Sequence, residues 1–595
     1  MIQMPDTSAM RRVLKDVFGF EDFRPGQEAV MTSLLAGQPV LAVMPTGAGK
    51  SLCYQVPALV LGGLTIVVSP LVALMQDQVA ALRLAGVAAD TINSSIDRDE
   101  NIAAWRRVAA GETRLLYLAP ERLMTDRMLE ALARTNVRLI AVDEAHCISQ
   151  WGPAFRPEYE QLSRLPDIFP KVPIIALTAT ADEATRRDIA ARLFAGKVET
   201  LVLGFDRPNI KFSVTARSDG KRQLLDFVRR HAGRSGIVYC LSRKKTEEIA
   251  VFLEDSAVRA LPYHAGMTKE ARDTNQNRFM TEGGVVMVAT IAFGMGIDKP
   301  DVAYVFHTDL PGSLEAYYQE IGRAGRDGRA AEAHMLFGAG DIRMRRLFID
   351  DENTSEAHKR RAHGRLGSLI GYCETAACRR QTLLHYFGEG AGPCGNCDNC
   401  LDQAPLSDGT AEARIILAAV EQSGERFGAG HIIDLLRGVG TQKIKERRHD
   451  ALSSFGSGAA RKKEEWNSLI RQMSAQGFLA PDDHGGLSIT EKGFGLRRGE
   501  SRFLFRGTSN KARSRPVDAA PAGDPALLAA LKAERLRLAR ERKVPAFVIF
   551  SDRTLIDMAA RAPRDLDAFA AVHGVGATKL KEFGAIFLGV IAAHV

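Results

Sequence analysis

The chain has 595 residues, 46% hydrophobic and 25% charged, too many of ordinary globular composition for a single core, so three to five domains are expected. Its 79 basic and 71 acidic residues leave a net charge of +8, a mild bias toward a polyanionic partner. No uninterrupted apolar run of about 18 residues exists to span a membrane, and the first twenty residues lack the apolar stretch of a signal peptide, so a cytoplasmic chain is expected.

In chain order, "VLAVM" (40–44), "LTIVVS" (64–69), "LLYLA" (115–119), "RLIAVD" (138–143) and "PIIALTAT" (173–180) alternate with helical stretches. Such alternation predicts a parallel sheet with helices on both faces. A second set, "GIVYC" (236–240), "VVMVAT" (285–290), "VAYVFH" (302–307) and "AEAHMLF" (331–337), predicts a second α/β lobe with a cleft between the two. The first strand runs into "PTGAGKS" (45–51) and then a helix, the layout of a P-loop. Backbone N–H groups around Thr46, Gly47 and Gly49 cradle phosphates, Lys50 reaches the β and γ phosphates, and the Ser51 hydroxyl binds magnesium. Met44 stands where the strict motif has glycine.

Asp143 and Glu144 end a later apolar strand, at the sheet edge that faces the phosphates. One acid holds magnesium and the other orients or deprotonates the attacking water, as nucleotide hydrolysis requires. They are followed by "HCISQWGPAFRPEY", a loop containing Trp151, Phe155, Arg156 and Tyr159. In the second lobe "YYQEIGRAGRDG" (317–328) sets Arg323 and Arg326 three apart, on one face of any helical turn. Arginines presented across a cleft neutralise charge on a transferring phosphoryl group.

Strand signals fade after about residue 341. "PCGNCDNC" then supplies Cys394, Cys397 and Cys400, with Cys373 and Cys378 upstream. Four thiolates at such spacing predict a closed structural zinc site rather than disulfides. Cys53, Cys147 and Cys240 read as inert core thiols. Between 405 and 505, helical patterns lead to "APDDHGGLSIT", a strand, a turn at Gly485-Gly486 and a second strand. Residues 506–523 are polar and rich in small side chains, a linker. A mainly helical piece closes the chain.

The ordered strings "FRPGQ" (23–27), "PTGAGKS", "SPLVALMQDQ" (69–78), "LAPERL" (118–123), "DEAHCISQWG" (143–152), "LTATA" (177–181), "FDRPNI" (205–210), "YHAGM" (263–267), "ATIAFGMGIDKPDV" (289–302) and "QEIGRAGRDG" make the chain resemble the RecQ family of superfamily 2 DNA helicases, from about residue 10 to the end. The resemblance implies two tandem RecA-like lobes (1–204 and 205–340), a zinc-binding helical subdomain (341–404), a winged helix (405–505), a linker (506–523) and an all-α HRDC bundle (524–595).

It implies that Phe20, Arg24 and Gln27 contact adenine, that Lys50 and Ser51 hold phosphate and magnesium, that Asp143 and Glu144 serve hydrolysis, and that Gln319, Arg323 and Arg326 complete the site. Trp151, Phe155 and Arg156 would couple single-stranded DNA to hydrolysis. Bases stack on aromatic faces at about 1–3 kcal/mol each regardless of sequence. Here Pro153-Ala154 replaces the family's usual His-Asp. Cys378, preceding an Arg-Arg pair, aligns as the fourth zinc ligand.

The winged helix would grip duplex DNA, with Lys443, Lys445, Arg447, Arg448, Arg461, Lys462 and Lys463 as phosphate contacts, and would receive the acidic tail of the single-stranded DNA-binding protein. Its wing is short and lacks an aromatic tip, the bacterial form. In the last domain Gly574 and Gly576, ahead of Lys579 and Lys581, offer backbone N–H groups to a DNA phosphate. The implied activity is an ATP-, magnesium- and zinc-dependent monomeric helicase moving 3′ to 5′ on DNA in repair, recombination and fork processing, located in the cytoplasm with the nucleoid.

Overall fold

The computed structural model describes residues 7–94, 96–149, 156–294, 299–352, 354–401, 406–481, 486–505, 524–542, 544 and 546–594. The linker, the tip of the wing, Trp151, Pro153, Ala154 and Phe155 lie outside the described residues.

Lobe 1 is a seven-stranded parallel sheet of β1 (Val40–Val43), β2 (Leu64–Val68), β3 (Ala89–Ile92), β4 (Leu115–Leu118), β5 (Val137–Val142), β6 (Ile174–Thr178) and β7 (Glu199–Val202), in the order β3-β4-β2-β5-β6-β1-β7. Helices on both faces explain why β1, β2, β4 and β6 are buried at every residue and read as unbroken apolar runs. Met44 at the end of β1 is fully buried and packs in the core, so the position where the motif has glycine serves lobe packing here. Lobe 2 is a six-stranded parallel sheet of β8 (Ile210–Ala216), β9 (Ser235–Tyr239), β10 (Ala260–Tyr263), β11 (Val286–Ala289), β12 (Val302–His307) and β13 (Ala331–Phe337), in the order β10-β11-β9-β12-β13-β8.

The four strands that the apolar runs do not announce each carry a polar or edge signature. β3 contains buried Asp90, neutralised by Arg83 at 2.7 Å and Arg107 at 2.6 Å, with Thr113 donating to it. β7 is an edge strand with exposed residues. β10 takes Pro262 at the other sheet's edge, where a missing N–H is tolerated. β8 mixes buried and half-buried residues.

The zinc subdomain shares its core with lobe 2: Phe205 stacks on Phe387 at 4.5 Å. Arg379 donates to Asp398 at 2.6 Å, and Asp398 in turn accepts the N–H of Val214 in β8. The winged helix has its own core around Trp466, whose indole N–H donates to the Gly458 carbonyl at 3.0 Å. It is joined to the zinc subdomain by Arg471 on Glu374 at 2.7 Å. Its wing strands, Leu479–Pro481 and Leu487–Ile489, pair antiparallel. The last domain buries Phe550, Phe569, Phe583 and Phe587. Among the described residues no helix is long and apolar enough to cross a membrane.

His334 is buried between β13 and β8, hydrogen-bonded to Ser213 at 2.7 Å and Thr215 at 3.1 Å. Burial pushes its pKa down to about 4. Between about pH 6.5 and 4 the unfolded chain then holds a proton that the folded chain lacks, so stability falls as pH falls, at up to about 1.4 kcal/mol per pH unit for one such group. Urea unfolding at pH 7.5 and 5.5 should show a larger loss for the wild type than for His334→Gln; an equal loss in both means the fold leaves the imidazole's titration unchanged.

Candidate active site, zinc centre and nucleic-acid interface

The P-loop follows β1, with Gly47 and Gly49 at φ 84° and 79°, a left-handed conformation that glycine adopts without strain. A Cβ on Gly49 would lie 2.6 Å from the Gln27 amide, so the backbone approach there also requires glycine. Lys50 points back toward the carbonyls of Met44 and Pro45, at 3.4 Å each. Burial lowers its pKa, while Glu144 and Asp143 act against that. Asp143 closes β5, its N–H bonded to the Val68 carbonyl at 2.9 Å. Burial, reinforced by the neighbouring Glu144 charge, raises the Asp143 pKa to about 7.

Glu144 sits at φ 49°, a strained conformation for a side chain of its size and one that recurs at active sites. Its Oε2 is buried with no hydrogen-bond partner, and it lies 3.3 Å from His146 Nδ1. A lysine of lowered pKa, two half-buried acids and a carboxylate oxygen without a hydrogen-bond partner fit a nucleotide with its magnesium ion.

The residues implied for adenine gather beside this loop. Gln27 is buried and its amide donates to the carbonyls of Ala48 and Gly49, both at 3.0 Å, while its oxygen accepts from the Arg24 N–H. Arg24 donates to the Gly47 carbonyl. Phe20 packs on the lobe 1 core with its ring 5.2 Å from His573 of the last domain.

From lobe 2, Gln319 donates to Thr180 at 2.7 Å and reaches His146 at 3.5 Å, linking helix Leu314–Ile321 to the segment after β6 and to the acids. The two arginines do not share a helical face. That helix ends at Ile321, and Gly325 at φ 58° turns the chain. Arg326 enters the cleft, its Cγ 3.6 Å from where a Cβ on Gly47 would stand, and its charge is felt by Lys50. Arg323 is buried inside lobe 2 beside Tyr239. The glycines on either side break the helix that the three-residue spacing assumed.

Of the coupling loop, Arg156 is described. It donates to the Pro70 carbonyl at 3.0 Å, within the "SPLVALMQDQ" segment. Tyr159, one turn on, is fully buried and donates to the backbone carbonyl of Asp143 at 3.0 Å.

The sulfurs of Cys378, Cys394, Cys397 and Cys400 lie within 4.8 Å of one another. Cys378 and Cys397 are 3.9 Å apart, far beyond a disulfide and close to the edge of about 3.8 Å that four Zn–S bonds of about 2.3 Å define. Backbone N–H groups of Gln381 and Cys394 point at the Cys378 sulfur, as suits a thiolate. Cys373 is not in the group; it is buried, and burial raises its pKa.

On the winged helix, Lys443, Lys445, Arg447, Arg448, Lys462 and Lys463 are exposed. Arg461 is tied to Glu412 and lies over Trp466 at 6.0 Å, so it braces the fold and is removed from the phosphate set. The glycine turn of the last domain is also spoken for: the Gly574 N–H donates to the Gly19 carbonyl at 2.8 Å, and a Cβ on Gly576 would lie 2.5 Å from the Val17 carbonyl. Lys579 is half-buried over Phe550, its ammonium donates to the Val548 carbonyl, and desolvation pushes its pKa down to about 8. This turn docks on lobe 1 instead of presenting its N–H groups to DNA. The same domain reaches lobe 2 through Asp552, which pairs with Arg329 at 3.3 Å.

Family models match the chain in sequence: DEAD/DEAH box helicase over residues 24–189, helicase conserved C-terminal domain over 220–328, RecQ zinc-binding over 339–401, RQC domain over 405–514 and HRDC domain over 524–591. The chain is 41% identical over 596 aligned positions to the ATP-dependent DNA helicase RecQ of Haemophilus influenzae, covering 98% of this chain and 95% of that one. The belonging is decided by that span.

The chain belongs to the RecQ family.

Similarity to the RecQ proteins of Pasteurella multocida, at 42% over 98% of this chain and 93% of that one, and of Bacillus subtilis, at 37% over 98% of each, agrees with it. The zinc centre of this RecQ-family chain is a built structural site. Cys397→Ala should lower bound zinc from one ion per chain to near none, measured by atomic absorption, and expose the segment 373–401 to protease; full zinc retention would mean other ligands hold the ion.

Proposed function

We propose that this chain translocates 3′ to 5′ along single-stranded DNA and displaces the complementary strand. It is an ATP-dependent DNA helicase of the RecQ family, acting in genome maintenance, with ATP, magnesium and zinc as its cofactors. The observation that carries the site assignment is the convergence across the cleft of Lys50, Asp143 and Glu144 from lobe 1 with Arg326 from lobe 2.

In this reading the P-loop N–H groups and Lys50 bind phosphate, Ser51 and Asp143 hold the metal, and Glu144 orients the attacking water and takes its proton. Arg326 neutralises charge on the transferring group, and Gln319 reports lobe closure through His146 and Thr180. Arg323 fixes the loop of Arg326 from within lobe 2. Gln27, Arg24 and Phe20 receive the base. Magnesium-bound ATP supplies the phosphoanhydride whose cleavage drives the cycle. Arg156, with Trp151 and Phe155, is assigned to coupling, supported by the bond from Arg156 to the segment at Pro70.

The exposed cluster Lys443, Lys445, Arg447 and Arg448 supports duplex contact by the winged helix, and its charge suits the acidic tail of a single-stranded DNA-binding protein. A monomer acting in the cytoplasm with the nucleoid completes the reading. A scaffold without hydrolysis is disfavoured because Lys50, Asp143, Glu144 and Arg326 are all present, and an uncoupled ATPase by the similarity to RecQ helicases over nearly the whole chain.

The test is steady-state ATP hydrolysis with and without single-stranded DNA, and unwinding of duplexes carrying a 3′ or a 5′ tail. DNA should stimulate hydrolysis, 3′-tailed duplexes should be unwound in preference, and Lys50→Ala and Glu144→Gln should each lower kcat by about 10²-fold or more. A rate indifferent to DNA would overturn the coupling, and a preference for 5′ tails the polarity.

A further inference from the structure

The segment "FDRPNI" between the lobes has no role in the reading above, yet two of its polar side chains, Arg207 and Asn209, bond to the turn that carries Arg326. Arg207 Nη1 donates to the P-loop carbonyl of Thr46 at 2.7 Å and to that of Gly322 at 3.3 Å. Its Nη2 donates to the carbonyls of Ala324 at 2.9 Å and Gly325 at 3.0 Å. Asn209 donates to the carbonyls of Gly325 and Arg329, both at 2.8 Å. One guanidinium and one amide thus take the carbonyls of Gly322, Ala324, Gly325 and Arg329, on both sides of Arg323 and Arg326.

We infer that Arg207, assisted by Asn209, is the positioning residue that sets the Arg326 loop and latches it to the P-loop, so that lobe closure delivers Arg326 at a fixed place. The inference rests on the role given to Arg326 above.

The turn needs such a device. It follows the C-terminus of helix Leu314–Ile321, where carbonyls lack helical partners and carry the negative end of the dipole. Gly325 bends it at φ 58°, and a Cβ there would meet Asn209 Nδ2 at 2.5 Å, so the turn and Asn209 are fitted to each other. The latch is close-packed on the other side as well: a Cβ on Gly322 would stand 3.0 Å from Thr46, and Arg207 Nη1 is 3.5 Å from the Cβ position of Gly47, beside Arg326 Cγ at 3.6 Å.

Four carbonyls arranged around one planar fork suit arginine and not lysine, whose single ammonium cannot reach both lobes with the same geometry. Burial lowers the Arg207 pKa, but only to about 10, so the latch is charged throughout the neutral range. Parting the lobes breaks one of its four bonds, the one to Thr46, while the three within lobe 2 keep the Arg326 turn in shape.

A positioning role predicts a loss in kcat without a matching loss in binding. With saturating single-stranded DNA, Arg207→Lys and Arg207→Gln should each lower kcat for ATP by about tenfold or more while KM changes by less than about threefold. Because Arg207 acts through Arg326, Arg207→Gln placed on Arg326→Ala should cost less than about a further twofold.

An unchanged kcat, a loss confined to KM, or multiplying losses in the double variant would each overturn the inference. If Arg326→Ala alone hydrolyses ATP at the wild-type rate, the reading of Arg326 falls and the inference with it. If Arg326→Ala is slow while Arg207→Gln is normal, only the inference falls. Should Arg207→Gln fail to fold, judged by zinc content and melting, Asn209→Ala carries the same test: a smaller kcat loss that also disappears on the Arg326→Ala background.

Discussion

The arrangement on which the molecule depends is a half-buried lysine set opposite two half-buried acids. Burial lowers the Lys50 pKa while Glu144 and Asp143 act against that, and burial with Glu144 beside it raises the Asp143 pKa to about 7. In a low-dielectric cleft such interactions are several times stronger than at the surface, and an unmatched charge is correspondingly costly. The site is therefore poised for a ligand that brings both signs, phosphates against Lys50 and a metal against the acids. The strain at Glu144 and its unpartnered oxygen persist because β5 and its bond to β2 fix the backbone on one side, and Tyr159 grips the Asp143 carbonyl on the other.

That poise explains why the outer domains are attached where they are. The zinc subdomain does not hang from lobe 2 but shares its core through Phe205, Tyr318 and Phe387. Tyr318 lies on the helix that carries Gln319, and it donates to the Phe205 carbonyl at 2.9 Å, two residues before Arg207. The cysteine module thus packs against the helix and the segment proposed to complete the ATP site. The HRDC bundle adds contacts on both lobes, with Gly574 on Gly19 next to Phe20 and Asp552 on Arg329 just past the arginine turn. Lobe 1 is held at the base-binding edge and lobe 2 at the arginine edge by one small domain.

Much of this was legible in the sequence where one residue type has one physical use. Glycines at the P-loop, adjacent acids ending a strand and four cysteines at metal spacing each declared their place, because conformational freedom, paired charge and soft ligation have few substitutes. Strands buried on both faces were equally plain. What stayed hidden depends on contacts between segments far apart in the chain. β3 hides behind Asp90, whose charge is tolerable only beside Arg83 and Arg107. Arg323 and Arg326 were read onto one face, but glycines redirected them. Arg461 and Lys579 looked like free cations and are spent on Glu412 and on Phe550. Arg207 gave no local sign, because its partners are backbone carbonyls more than a hundred residues away.

The same contrast bears on the loop that begins with "DEAHCISQWG". Proline and alanine replace two polar residues at its middle, which removes hydrogen-bonding groups and fixes one φ angle. Both flanks are nonetheless bonded to the catalytic lobe. Before the loop, Ser149 donates to Asp188 at 2.7 Å; after it, the Arg156 N–H returns to the Cys147 carbonyl at 3.0 Å and its guanidinium to Pro70. The bond between residues 147 and 156 closes the base of the segment three residues after Glu144, and Tyr159 holds the carbonyl of Asp143. These anchored ends support the coupling role proposed for Arg156, because they tie the base of the segment to the lobe that carries the acids.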